Sequence, residues 1–119
     1  MPVVQNFKMY QGDTRDITVT VTQDGELMDL EEVDNVIWVL SDNKWSRGEA
    51  ILVKSLIEGT LQITGAGEFS LKLSHEDTKD LLGKYFCEAR VIDGIENNLT
   101  VLVGEIEVER SIIVGKELI

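Results

Sequence analysis

Apolar and polar residues alternate along most of the chain. In "RDITVTVT", Ile17, Val19 and Val21 fall on one side, and Asp16, Thr18, Thr20 and Thr22 on the other. That period of two in β-branched residues predicts a half-buried strand. "QDGE" follows as a turn. "NVIWVLS" aligns Val36, Trp38 and Leu40, but Ile37 and Val39 make its second face apolar too, which predicts a strand that is central or covered on both sides. "TLQIT" and "GEFSLKLS" add two more strands, the latter with Phe69, Leu71 and Leu73 inward and Ser70 and Lys72 outward. "KYFCEARVI" points Tyr85, Cys87, Ala89 and Val91 one way. "LTVLVGEIEVE" closes the set, and Gly104 in mid-run marks a bulge or a close backbone approach.

Helical periodicity is brief. Ser74 precedes "HEDTKDLL" with Asp77 three residues on, the spacing of a capping box with acids in the first turn. Gly83 stands where a left-handed cap would end a helix of about two turns. "EAILVKSLIE", residues 49–58, is open: Ser46 and Glu49 could cap a helix ended by Gly59, and Ile51, Val53 and Ser55 could equally alternate in a strand. About seven short strands divided by turn signals, with one minor helix, predict a β-sandwich.

Tyr85-x-Cys87 sharpens this reading. It resembles the entry to the sixth core strand of an antibody variable domain, where a corner tyrosine precedes a core cysteine by two residues and a buried tryptophan packs nearby. Trp38 sits on the third predicted strand. Cys87 is the only cysteine, so the resemblance implies that a valine, Val19, faces it across the sandwich and that Cys87 is a small buried hydrophobe. The expected fold is an all-β, immunoglobulin-like antiparallel sandwich over residues 1–110, with a core that includes Val19, Trp38, Phe69, Leu71, Tyr85 and Cys87. Residues 111–119 form an apolar C-terminal tail.

A longer set of motifs runs through residues 5–110. Gly12-Asp13-Thr14 opens it. Asp29-Leu30 precedes the tryptophan strand. Asp77-Thr78 with Leu81 or Leu82, Gly83-x-Tyr85, an Asp93-Gly94 turn and Thr100 to Gly104 complete it. In order and spacing it resembles the small immunoglobulin-like domains of bacteriophage and prophage structural proteins, such as the N-terminal domain of the baseplate upper protein. The resemblance implies a non-enzymatic virion component of tail, baseplate, neck or capsid decoration. It would be made in the host cytoplasm, form a homo-oligomer and contact other phage structural proteins. The "DLEEVD" stretch is more acidic than that pattern, and the long C-terminal extension of the baseplate upper protein is not expected here.

Composition narrows the chemistry. The 119 residues suit one domain, and 43% apolar content lets it remove roughly two-thirds of its unfolded surface from water. Twenty-two acids against 11 bases leave a net charge of −11, which a phosphate backbone would repel, so no nucleic-acid partner is expected. No run nears the ~20 apolar residues of a membrane span, and no signal peptide opens the chain. One histidine and one cysteine supply too few nitrogen and sulfur ligands for zinc. Ser74, His75 and Asp77 share one helical turn and cannot converge as a triad. No metal, cofactor or catalytic residue is expected. Asp24, Glu26, Asp29, Glu31, Glu32 and Asp34 cluster in sequence, as a calcium site or as a solvated acidic turn.

Candidate contacts lie in a loop and at the ends. "SDNKWSRG" holds Trp45 near Arg47, two residue types enriched at interface hot spots. Trp45 would fold over the sandwich edge, anchor a protein partner or stack on a sugar. The last option makes a receptor- or carbohydrate-binding module the alternative function. "VVQNF" and the tail residues Ile112, Ile113, Val114, Leu118 and Ile119 are apolar runs that a lone monomer avoids exposing. They would either close the domain's own sheet or add a strand to a neighbouring subunit.

Overall fold

The computed structural model describes residues 3–23, 25–31, 33–42, 50–93 and 98–111. Among these residues, eleven strands and one helical turn follow in the order β1 Val3–Val4, β2 Phe7–Tyr10, β3 Arg15–Thr20, β4 Thr22–Gln23, β5 Glu26–Leu27, β6 Val33–Ser41, β7 Leu52–Ser55, β8 Leu61–Gly65, β9 Glu68–Leu73, α1 His75–Thr78, β10 Gly83–Asp93 and β11 Asn98–Glu109. The larger sheet runs β1-β11-β10-β6-β7, with β2 continuing beside β11. The smaller runs β3-β9-β8, and β4 and β5 form a separate hairpin.

Alternating residues of the two sheets fill the space between them. Val36, Trp38 and Leu40 on β6 pair with Val91, Ala89 and Cys87 on β10, and all six are buried. Ala89 opposite Trp38 leaves room for the indole. Across the sandwich, Ile17 and Val19 pair with Leu71 and Phe69. The expected core residues Val19, Trp38, Phe69, Leu71, Tyr85 and Cys87 are all in this cluster. The strand count exceeds seven because the N-terminal strand is split, the short β4–β5 hairpin is a pair of its own, and residues 52–55 resolve the open segment in favour of a strand.

"VVQNF" closes the domain's own sheet. Val3↔Leu102 and Phe7↔Ile106 give β1 and β2 the same parallel register on β11. The ladder opens between them at Gly104. A β-carbon there would overlap the Gln5 carbonyl, and Asn6 Oδ1 accepts the Glu105 amide at 2.8 Å in place of a backbone acceptor. The glycine is a close approach.

The helix is shorter than the pattern predicts. It spans His75–Thr78, with Lys79 as its C-cap. The capping box is present: the Asp77 amide donates to Ser74 Oγ at 3.2 Å, and the Ser74 amide donates to Asp77 Oδ2 at 2.9 Å. Gly83 has φ +100 but begins β10 and caps nothing. The chain leaves helical geometry early because Leu81 is buried and the Tyr85 hydroxyl binds Leu82, accepting from its amide at 2.8 Å and donating to its carbonyl at 3.1 Å. That is the corner expected two residues before Cys87.

Candidate protein interface

The motif residues Gly12, Asp13, Asp77, Thr78 and Tyr85 gather at one end of the sandwich and tie its elements together. Asp13 Oδ2 accepts the Tyr10 amide at 3.0 Å, and the buried Thr78 hydroxyl donates to the Asp13 carbonyl at 2.8 Å. Gly12 turns with φ +80, and its carbonyl lies 3.0 Å from His75 Nδ1. Lys54 on β7 reaches Asp77 at 2.8 Å, with only 14% and 19% of the two side chains exposed. Burial by itself raises the Asp77 carboxyl. The Lys54 ammonium and the Ser74 amide and hydroxyl outweigh it and hold the group below its ordinary value. Sequence reading misses Lys54 because its partner is 23 residues away and neither residue stands in a motif for the pair.

These contacts are structural. The His75 ring rests against Gly12. Burial pushes the Cys87 thiol up to about 11, far from the thiolate that nucleophilic or metal chemistry requires. Of the acidic run, Asp24 and Glu32 lie outside the described residues. Asp29 Oδ1 accepts the Glu31 amide at 2.9 Å, and Glu26 and Asp34 are exposed. Among the described residues, no three His, Cys, Asp or Glu converge as metal ligands, and no helix is long and apolar enough to cross a membrane, which says nothing of β-barrels. Trp45, Arg47, Ile112, Ile113, Val114, Leu118 and Ile119 also lie outside the described residues.

The sequence reading did not anticipate a contrast between the two outer faces of the sandwich. The smaller sheet turns Asp16, Thr18 and Thr20 of β3, Ser70 and Lys72 of β9 and Gln62 of β8 outward, an ordinary solvated surface. The larger sheet turns outward Ile37 and Val39 of β6, Phe86 and Ile92 of β10, Val103 of β11 and Val53 of β7. Val53 is 47% exposed; the other five are half-buried. Val4 and Ile51, also exposed, extend the surface at its two edges. Six of its charges come in pairs across adjacent strands or along β10: Lys8–Glu107 at 3.7 Å, Lys84–Glu105 at 3.9 Å and Arg90–Glu88 at 3.8 Å; Glu109 of β11 adds a further exposed carboxylate.

No protein-family model matches the chain, and no curated protein does. Among solved structures, the fibronectin(III)-like modules of Clostridium thermocellum CbhA are similar to it, with TM-score 0.51 and 15% identity over 93% of both chains. Murine CRIg gives TM-score 0.41 and 16% identity over 91% of this chain and 93% of that one. Extracellular domains 3–5 of Drosophila OTK give TM-score 0.36 and 16% identity over 92% of this chain and 33% of that one. At such identity the likeness to the CbhA modules is one of architecture, and with the strand order above it makes the chain an all-β, immunoglobulin-like sandwich.

Proposed function

We propose that the chain is a non-enzymatic structural protein of a bacteriophage virion, acting in tail, baseplate, neck or capsid decoration through protein–protein assembly. The observation that carries the reading is the ordered set of motifs from Gly12-Asp13-Thr14 through Asp77-Thr78 and Gly83-x-Tyr85 to Thr100 and Gly104. In order and spacing its members resemble those of the phage structural domains. In this fold the best-defined of them are pins: Thr78 to Asp13, Tyr85 to Leu82, and Gly104 beneath Gln5. A sandwich held this way needs no cofactor and works by the surfaces it presents. The apolar residues on the outer face of the larger sheet support the assembly part of the reading, since exposed apolar surface commonly marks a protein contact. Repetition of one chain around a symmetric particle is the usual way such units assemble.

Mass spectrometry of gradient-purified particles from the source phage or induced host tests the proposal. The chain is expected at constant stoichiometry with the major virion proteins. Recovery only from the particle-free lysate would overturn it.

A further inference from the structure

We infer that the outer face of the larger sheet pairs with the same face of a second copy of this chain, about a twofold axis. The inference names the partner in the assembly reading and rests on that reading for its setting; the surface itself is read from three features of the structure.

The first is one-sidedness. The outer face of β3-β9-β8 has no large apolar side chain among Asp16, Thr18, Thr20, Gln62, Ser70 and Lys72, whereas Ile37, Val39, Val53, Phe86, Ile92 and Val103 cross the larger sheet. Both faces belong to one molecule in one solvent, so a general tolerance for exposed apolar residues does not explain the difference. The second is size. Five strand positions about 4.8 Å apart, and the 9 residues of β6 at about 3.4 Å each, give a face of roughly 700 Å². A stable protein contact needs about 800 Å² on each partner.

The third feature is charge, and it selects the occupant. Lys8, Lys84 and Arg90 stand against Glu107, Glu105, Glu88 and Glu109 on this face, so it carries only a small part of the net charge of −11. Glu109, paired with Tyr10 of β2, is the one acid in excess. Two copies of so acidic a protein repel wherever their acidic surfaces meet. Here they can approach with a single carboxylate in excess on each copy, and a twofold axis sets the same nearly neutral surface against itself. A basic partner would meet little acidic field here, and a nucleic acid no basic one.

The test is sedimentation of the purified full chain across a concentration series. A reversible dimer is expected, and its association should strengthen with added salt, because screening weakens long-range repulsion between the copies while the apolar contact persists. Val53→Lys should raise the dissociation constant at least ~10-fold, as charging a contact residue commonly does. Val53 is half-exposed on an edge strand, so the monomer should still fold. Glu88→Lys is the second variant. It leaves unbalanced positive charge on both apposed faces and should also weaken the dimer. Thr18→Lys, on the other sheet, should change nothing. Circular dichroism checks that every variant is folded.

A wild-type chain that stays monomeric throughout the series overturns the inference. So does a dimer indifferent to both face variants, or one that dissociates only when residues 112–119 are deleted, which would make the tail the contact. A monomer found in purified particles would sink the face pairing and leave the virion reading standing. A dimer absent from particles would do the reverse.

Discussion

Removing one oxygen atom should measure how much the corner contributes. In Tyr85→Phe the ring stays in the core, where Tyr85 is 8% exposed, but the hydroxyl that joins both backbone groups of Leu82 is lost. Each such bond is worth a net ~0.5–1.5 kcal/mol, and an unpaired buried group costs ~1–3 kcal/mol. The Leu82 side chain is 48% exposed, so water can reach part of this turn and the lower half of those ranges applies. The two bonds together then contribute about 2 kcal/mol. An unfolding entropy near 2.1 cal/mol/K per residue gives about 0.25 kcal/mol/K for 119 residues, so Tm should fall by about 8 °C. The assay is thermal melting with urea denaturation on the same samples, at low protein concentration so that self-association does not shift Tm. The urea midpoint should fall with the slope unchanged. Tyr10→Phe, at a ring 54% exposed, is the control and should stay within ~0.5 kcal/mol of wild type. A loss in Tyr85→Phe no larger than in this control would refute the corner as a stabilising device.

Gly104→Ala forces the Gln5 carbonyl off β11, and overpacking of that kind should cost at least ~2 kcal/mol by urea denaturation; a neutral result would mean that the N-terminal strand is not held there. Asp77 has a carboxyl held below its ordinary 3.8, so its bonds stabilise the fold above that value and are lost as pH falls through the lowered one. Lys54→Met should therefore destabilise the protein near neutrality, with the deficit shrinking in acid as Asp77 protonates; a deficit constant with pH would show that the pair is not its source. The Cys87 thiol, raised to about 11 by burial, should label with a disulfide reagent near pH 8 only as fast as the domain unfolds, and immediate labelling of native protein would contradict its place in the core.

Most of the sandwich is legible in the sequence because a period of two in side-chain character directly encodes which side of a sheet is buried. That rule identifies β3, β6, β9, β10 and the second half of β11, and the residues it points inward are the observed core. Capping and corner chemistry are legible for the same reason: Ser74 with Asp77, and Tyr85 with its turn, are partners three residues apart. Contacts between distant residues are not written locally. The Lys54–Asp77 pair joins an edge strand to a helical turn through the sandwich margin. The parallel pairing of β1 and β2 on β11 joins the two ends of the domain. The helix is shorter than its pattern because Gly83 satisfies two local rules, as a helix cap and as the left-handed entry to a strand, and only the burial of Leu81 and the tyrosine corner select the second. Residues 49–58 carry both periods, and the ladder to β6 decides between them.

One sequence feature has two readings that the structure separates. Apolar residues on both faces of β6 suggested a central or doubly covered strand, and β6 is indeed interior, between β10 and β7. Interior position does not by itself require an apolar outer face. β10 is just as interior, between β11 and β6, yet it turns Glu88 and Arg90 outward between Phe86 and Ile92. A side chain on the outside of an antiparallel sheet meets solvent whether or not its strand has two neighbours, because strand neighbours satisfy the backbone and leave the face open. Ile37 and Val39 therefore gain little for the monomer beyond their lateral contacts. Val53 continues them on β7, while Glu88 and Arg90 of β10 stand between them and Val103 of β11. Apolar surface that the domain does not bury itself stabilises whatever covers it, and on this sheet the charge balance points to another copy of the same chain.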